Sequence, residues 1–291
     1  MNSKAIGIFD SGVGGLTVLK EVKRQLPREN IVYLGDNARV PYGSKSKEKI
    51  KAISVENSEF LSKFEVKLIV VACNTASAVA LDHLKSKFHI PIIGVIEAGA
   101  KAALKATRNK KIGVIGTKQT INSQTHMNLI KAIDPEIEVF TKATPLFAQI
   151  VEEDMTDFES TKMLIEESLS YFKENKVDTL ILGCTHYPLL KKQIKEFLGD
   201  VTLIDPSKET SLEIRRVLAR KNNKNLSHNE YDKIFVTDTP LSFLEISRRF
   251  MNSDTLVVEQ ISLEEQRKES DVNSEKNKEI SKIRKLIEQE V

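Results

Sequence analysis

Short apolar strands that end in small or polar residues constrain the fold of this chain more than any other feature. Four such runs, at residues 5–9, 31–34, 68–72 and 90–95, alternate with longer amphipathic stretches such as residues 46–63. Continuous apolar strands separated by helices predict an α/β protein with a parallel sheet covered on both faces. Polar residues that follow these strands then meet at one edge of the sheet, where α/β proteins bind ligands.

The strand pattern restarts after the first third of the sequence. Residues 110–117 repeat the pattern of residues 4–11 at an offset of 106 positions, and residues 179–185 and 201–205 repeat later strands at an offset of 111. Three repeats in the same order predict two pseudo-symmetric halves, each a mostly parallel sheet flanked by helices, with the active site in the cleft between them. Because buried strands resemble one another in general, a chance succession of strands is the alternative.

The order of the strands also predicts how the chain is divided. A strand at residues 233–236 is expected to return to the first half, since the second half already has its strands. We predict a first α/β domain of residues 1–97 plus 209–263, a second of residues 98–208, and a charged C-terminal extension of residues 264–291. The extension holds 8 acidic and 7 basic residues among 28, with an apolar stripe at helical spacing. Either a solvated tail helix or a helix that docks on the body or on a second subunit fits this pattern.

Composition excludes several classes of protein. The formal net charge of the 291 residues is only +3, so it gives no drive toward nucleic acid or an anionic membrane surface. No apolar run approaches the roughly 20 residues that span a bilayer. The N-terminus lacks the apolar core and cleavage site of a signal peptide, so we expect a cytoplasmic protein. Two cysteines are too few for a disulfide framework or a four-thiolate zinc site, and we expect no metal.

The two cysteines, Cys73 and Cys184, each follow a buried strand. Asn74 or Thr75 can cap a helix that starts after Cys73. Pro188 suits the first turn of a helix after Cys184. Free backbone N–H groups and a helix dipole favour a thiolate, so we expect the pKa of Cys73 to fall, with Cys184 in the same setting. One cysteine after a strand is usually a buried apolar residue, but two in matching turns indicate a function.

Two thiols on opposite faces of one carbon can invert its configuration. A thiolate removes the proton from one face and a thiol returns a proton on the other, with the roles exchanged in the reverse direction. A disulfide between the two cysteines is the competing interpretation, and the lack of secretory signals disfavours it.

A glycine-rich turn at residues 10–15 follows the first strand. It is a weak candidate for a phosphate site, since it matches neither GxxxxGK[ST] nor GxGxxG and Asp10 would repel a phosphate. The turn can instead hold Asp10 and Ser11 at the end of the strand and offer backbone N–H groups to a carboxylate. The plainer role for Asp10 is that of a helix N-cap.

Other polar residues are less specific. His186, two positions after Cys184, can hydrogen-bond a thiol or a substrate group. The loop that contains Tyr42 and Gly43 either closes a site or is an ordinary turn. The remaining histidines are expected on helix faces or at the surface: His83, His89, His126 and His228.

Four blocks of sequence together resemble the glutamate racemases of bacterial cell-wall synthesis. They lie at residues 9–16, 36–43, 72–77 and 183–189, in the family's order, and the resemblance covers roughly residues 4–262. It implies membership of a superfamily of cofactor-independent racemases with two pseudo-symmetric α/β halves. It also implies interconversion of L- and D-glutamate without a cofactor, D-glutamate destined for peptidoglycan, and a homodimer.

The resemblance further implies roles for individual residues. Cys73 and Cys184 would be the acid/base pair. Asp10 would assist the first of them and His186 the second. A looser match implies Glu152 as a further helper near Cys184. Neutral donors suit a dicarboxylate because they bind it without neutralising the thiolate. Substrate recognition is implied for residues that offer polar side chains or backbone N–H groups: Asp10, Ser11, Tyr42, Gly43, Asn74, Thr75, Thr117, Thr185 and His186.

Two other interpretations stay open. A sister racemase that acts on aspartate or another acidic amino acid would share both cysteines, although residues 185–188 resemble the glutamate branch. A non-catalytic α/β protein that binds an anion or a nucleotide through residues 10–15 would leave the pair of cysteines unexplained.

Overall fold

A computed structural model describes residues 4–220, 223–225, 232–251 and 256–265 of the chain. The described residues form two parallel β-sheets flanked by helices, which confirms the predicted α/β fold with two halves. The charged extension lies outside the described residues from position 266 onward, as does His228.

Strands and helices alternate along most of the chain, and two helices follow each of β5 and β6. The strands are β1 (Ile6–Asp10), β2 (Ile31–Gly35), β3 (Leu68–Val71), β4 (Ile92–Gly94), β5 (Lys111–Gly116), β6 (Glu138–Ala143), β7 (Thr179–Gly183), β8 (Thr202–Ile204), β9 (Lys233–Val236) and β10 (Val258–Gln260). The helices are α1 (Leu16–Gln25), α2 (Lys47–Ser62), α3 (Asn74–Lys87), α4 (Val95–Ala106), α5 (Lys118–Asn122), α6 (Thr125–Ile133), α7 (Leu146–Glu152), α8 (Glu159–Glu174), α9 (Lys191–Leu198), α10 (Pro206–Arg220) and α11 (Pro240–Met251).

The two sheets share one topology. The first has the strand order β10-β9-β2-β1-β3-β4 and the second has the order β6-β5-β7-β8. The matching strands β1 and β5 each lie between the next two strands along the chain. Ile6 pairs with Leu68 in the first sheet, and Ile112 pairs with Thr179 in the second. The first sheet thus repeats the second and adds β9 and β10 beside β2; the predicted domain boundaries themselves stay a prediction.

Amphipathic helices cover the strands. In α1 the buried residues Leu16, Leu19 and Val22 recur every three positions, while Lys20 and Arg24 are exposed. Each aliphatic side chain buried in this way stabilises the fold by about 1.5–3 kcal/mol. Among the described residues, every helix is too short or too polar to cross a bilayer.

Two local expectations about strand and helix ends differ from the structure. The strand expected at residues 90–95 ends at Gly94, because Val95 already belongs to α4. A 3-10 turn, Tyr187–Leu190, separates Cys184 from α9, whereas Cys73 directly precedes α3. Pro188 lies in the first turn of this 3-10 helix, where its missing N–H costs no hydrogen bond.

Candidate active site

The carboxyl ends of both sheets face one cleft. Asp10 ends β1, Cys73 follows β3 by two residues, and Cys184 directly follows β7. The halves meet there through hydrogen bonds: Thr75 Oγ1 lies 2.9 Å from Thr117 Oγ1, and the Thr17 hydroxyl donates to the backbone oxygen of Thr185 over 3.2 Å. The structure therefore brings the two cysteines into one site. Both are buried, free thiols, and no disulfide joins them.

Cys73 lies next to the glycine-rich turn of residues 10–15. Its Sγ is 3.7 Å from Ser11 Oγ, and both the Ser11 hydroxyl and the backbone N–H of Ala76 favour a negative charge on the sulfur. Burial and the nearby Asp10 carboxylate disfavour that charge, as does Cys184, and together they raise the pKa of Cys73 to about 12. The expectation that the start of α3 would lower this pKa is wrong because burial outweighs the helix N–H groups.

Asp10 is fully buried at the end of β1. Its Oδ2 accepts a hydrogen bond from the Gly12 backbone N–H over 3.1 Å, while Oδ1 has no hydrogen-bond partner among the described residues. Burial raises the pKa of Asp10 to about 6, although the charge of His186 and the N–H groups of the turn act against this shift. A carboxyl with a pKa of about 6 can exchange a proton near neutral pH. Because α1 begins only at Leu16, Asp10 is not its N-cap.

Cys184 lies beside a histidine–carboxylate pair. His186 Nδ1 is 3.7 Å from the Cys184 sulfur, and Nε2 is 2.7 Å from Glu152 Oε1 at the end of α7. Burial disfavours a charged imidazole, but the hydrogen bonds to Cys184 and Glu152 outweigh it and raise the pKa of His186 to about 10. The ring is thus an imidazolium that donates a hydrogen bond on each side.

Hydroxyl and amide groups surround the space between the thiols. Thr120 lies within 3.0 Å of Thr117 and 3.3 Å of Thr75, so three hydroxyls meet across the cleft. Asn74 Oδ1 is buried and has no hydrogen-bond partner among the described residues. Asn74 also lines a cavity of about 10 Å³ next to Cys184, which has room for about one water molecule. The site therefore offers neutral donors and acceptors that a polar ligand can use.

The Tyr42 hydroxyl points away from the cleft. It donates to Asp36 Oδ2 and accepts from Asn57 Nδ2 over 3.0 Å. Arg39 Nε binds both oxygens of Asp36, at 2.9 and 2.8 Å, and a buried network results. Tyr42 can therefore contribute only its backbone to ligand binding. Gly43 next to it does reach the other half, since a Cβ added at Gly43 would lie 2.7 Å from Thr117 Cβ.

Of the remaining histidines, His83 and His89 are exposed and His126 lies on a helix, as expected, although its side chain is buried. His126 is on α6 with only 2% of its surface exposed, and both ring nitrogens lack hydrogen-bond partners among the described residues. Burial lowers the pKa of His126 to about 4, so the ring is neutral. The described part of the chain also holds no group of three His, Cys, Asp or Glu side chains that suits a metal ion.

Comparison with known proteins places these features in a family. The sequence profile of the Asp/Glu/Hydantoin racemase family matches residues 6–210. The glutamate racemase of Geobacter metallireducens is 48% identical over 267 residues, which cover 90% of this chain and 97% of the relative. The chain belongs to the glutamate racemase family. The resemblance seen in the four sequence blocks is thereby confirmed, and with it the prediction of an amino-acid racemase.

Two crystal structures resemble the racemase closely. The RacE1 isoform of glutamate racemase from Bacillus anthracis superposes with a TM-score of 0.88 at 42% identity, covering 90% of this chain and 99% of that one. The glutamate racemase from Francisella tularensis, in complex with D-glutamate, gives a TM-score of 0.85 at 39% identity with the same coverage.

Sequence reasoning missed several residues at the racemase site. Thr120 follows Thr117 at the i+3 spacing of a helix cap, and its N–H does bond the Thr117 hydroxyl, so this signal was present. Thr17 and Arg249 carry no signal for their contacts with the second half, because those partners lie more than 90 positions away in the sequence.

Proposed function

We propose that this chain interconverts L- and D-glutamate by moving a proton between two thiols. One thiol from each half lies at the carboxyl end of a central strand, and this placement is the observation that carries the proposal. The membership of the glutamate racemase family supports glutamate as the substrate. A supply of D-glutamate for peptidoglycan is the purpose we propose for the reaction.

The proton transfers follow from the groups at each sulfur. A thiolate takes the Cα proton from one face of glutamate and becomes a thiol, leaving a carbanion at Cα. The opposite thiol gives its proton to the other face and becomes a thiolate. The raised pKa of Cys73 favours the thiol form, so Cys73 is the proton donor in one direction, and Cys184 is then the base. In the reverse direction the roles exchange.

The neighbours of the thiols support each transfer. Asp10 and Ser11 lie on the Cys73 side, and the His186 imidazolium with Glu152 lies on the Cys184 side. We assign recognition of the substrate carboxylates to neutral groups and backbone N–H groups around the cleft, because these do not quench a thiolate. They are Ser11, the backbone of Tyr42, Gly43, Asn74, Thr75, Thr117 and Thr185, with Asp10 and His186 beside them.

Deuterium incorporation tests the mechanism. The purified protein is incubated in D2O with each glutamate enantiomer, and configuration and deuterium content at Cα are followed by chiral chromatography and mass spectrometry. We expect inversion with deuterium gained at Cα, without added pyridoxal phosphate, and loss of inversion in Cys73→Ala and in Cys184→Ala. Full racemisation by either single variant would refute the two-thiol proposal. A parallel incubation with aspartate tests the substrate, since faster inversion of aspartate would contradict the glutamate assignment.

We also propose a cytoplasmic homodimer. The family resemblance suggests both the dimer and the compartment. Light scattering of the purified chain at micromolar concentration gives the subunit number, and a mass of one chain would exclude the dimer under those conditions.

A further inference from the structure

The last turn of α11 reaches from the first half of the molecule to the second. Arg249 Nη1 donates to the backbone oxygen of Val151 over 2.9 Å, and Nη2 donates to that of Glu152 over 2.6 Å. These two carbonyls close α7. The last carbonyls of a helix have no partner within the helix, and a cation there also complements the negative end of the helix dipole. Arg249 thus supplies hydrogen-bond donors and a positive charge at the C-terminal end of α7.

Three further contacts fix this turn relative to the site. Arg249 Nη1 forms an ion pair with Asp154 Oδ1 at 2.8 Å, just beyond α7. The ring of Phe250 meets the His186 ring edge-to-face, with centroids 5.6 Å apart and planes at 88°. Lys20 on α1 donates to the backbone oxygen of Phe250 over 3.2 Å. Neighbouring residues of α11 therefore contact both members of the pair that His186 forms with Glu152.

We propose that Arg249 is a positioning residue for racemisation, which holds Glu152 against His186 and thereby sets the imidazole beside Cys184. The chain of contacts is continuous: guanidinium to Glu152 carbonyl, Glu152 carboxylate to His186 Nε2, and His186 Nδ1 to the sulfur. The consequence for turnover rests on the proposed function, whereas the consequence for His186 rests on geometry alone.

The competing explanation is that Arg249 merely joins the two halves. That role would affect the melting temperature and leave the environment of His186 unchanged. Three variants separate the two explanations. Arg249→Met removes the donors and keeps an unbranched apolar side chain. Arg249→Lys keeps the charge but loses the two-pronged geometry of the guanidinium. Asp154→Asn removes the ion pair and leaves both carbonyl hydrogen bonds in place.

Two measurements are made on each variant of the full chain. The first is steady-state racemisation of L-glutamate, with kcat and KM determined separately. The second is an NMR titration of the His186 ring in the absence of substrate, with its signal assigned from the spectrum of His186→Gln. The titratable groups that face this ring among the described residues are Glu152, Cys184 and Asp10, and none of them is altered. Arg24→Met, at an exposed arginine of α1 that pairs with Glu21, is the matched control.

For Arg249→Met we expect kcat to fall about tenfold with KM changed less than threefold, and the pKa of His186 to move down toward its ordinary value. Arg249→Lys should lose about threefold in kcat, while Asp154→Asn and Arg24→Met should stay within twofold of the unaltered chain. An unchanged kcat or an unchanged His186 titration in Arg249→Met would overturn the proposal. If that variant does not fold, Arg249→Lys decides: a loss of kcat with a shifted titration supports positioning, and wild-type values refute it. If the unaltered chain does not racemise glutamate, the proposed function fails. The titration still tests whether Arg249 positions the His186 ring.

Discussion

The two thiols differ in the groups that lie beside them. A buried carboxyl, Asp10, neighbours Cys73, while the His186 imidazolium neighbours Cys184. Burial has the largest effect on Cys73, so the free N–H groups at the start of α3 do not set its protonation. Burial, together with the side chains next to the sulfur, therefore sets how readily Cys73 loses its proton.

The first prediction is that two substitutions shift the pKa of Cys73 in opposite directions. Asp10→Asn removes a negative charge, so the pKa of Cys73 should fall and alkylation by iodoacetamide should be faster at each pH. Ser11→Ala removes a hydroxyl that stabilises the thiolate, so alkylation should be slower. Both variants are made in a Cys184→Ala background, and the rate is measured between pH 7 and 11 by mass spectrometry. Shifts in the same direction would contradict this explanation.

His126 gives a second prediction, for stability in acid. Its pKa in the folded chain, about 4, lies below its ordinary value of 6.5, so the unfolded chain binds the proton more readily. Stability is therefore unaffected above pH 6.5 and is lost as the pH falls toward 4, by about 2 kcal/mol at pH 5. His126→Leu should remove this loss, which urea unfolding at pH 8 and pH 5 measures. The same substitution at exposed His83 is the control, and an equal acid loss in His126→Leu would refute the prediction.

Among the elements, the loop before α2 depends on that helix for its position. Asp36 accepts hydrogen bonds from Tyr42, Arg39 and Thr237, and Asn57 on α2 holds both Arg39 and Tyr42. A buried carboxylate with this many donors is costly to disturb, because a lost partner leaves a polar atom unsatisfied. The network fixes the loop that places Gly43 against the second half.

Tyr42→Phe tests this network. The variant leaves Asp36 and Asn57 each without one hydrogen bond, so we expect the free energy of unfolding to fall by about 1–3 kcal/mol. The KM for glutamate should rise severalfold because Gly43 is less firmly placed. Tyr171→Phe, at a half-exposed tyrosine of α8, is the matched control and should change neither quantity. An unaltered KM in Tyr42→Phe would show that the network does not position the loop.

For the whole molecule, Gly14 is one of the positions where the two halves approach most closely. A Cβ added at Gly14 would lie 2.3 Å from Thr185 Oγ1 and 2.6 Å from the His186 ring, both in the other half. A Cβ added at Gly12, in the same turn, would meet nothing within 4 Å. The backbone at Gly14 therefore sets how closely the cleft can close.

Gly14→Ala should keep the cleft from closing fully. We expect kcat/KM to fall more than tenfold, since small misplacements of reacting groups cost large factors in rate. Gly12→Ala should retain activity within a fewfold. The two variants are compared by racemisation kinetics and by melting temperature. Equal activities of the two would refute a steric role for Gly14.

Much of the fold and the central pair of the site could be predicted from local pattern. The repeat that relates Ile6 to Ile112 predicted two similar sheets. This was possible because the apolar residues of each buried strand and the polar residues that follow it are neighbours in the sequence. Thr120 was within reach of the same reasoning through its spacing from Thr117. Arg249 was not, because its partners at the end of α7 lie about a hundred positions away.

The sequence by itself determined the succession of strands along each repeat, one thiol after a buried strand in each half, and the family. Only the tertiary structure decided the protonation of Cys73 and the groups that hold both thiols. The pKa of Cys73 depends on burial and on Asp10, and the partners of His186 come from a strand end and a distant helix. The spacing of apolar residues shows which face of a segment is buried. Desolvation and hydrogen bonding depend instead on which side chains of the other half pack on that face.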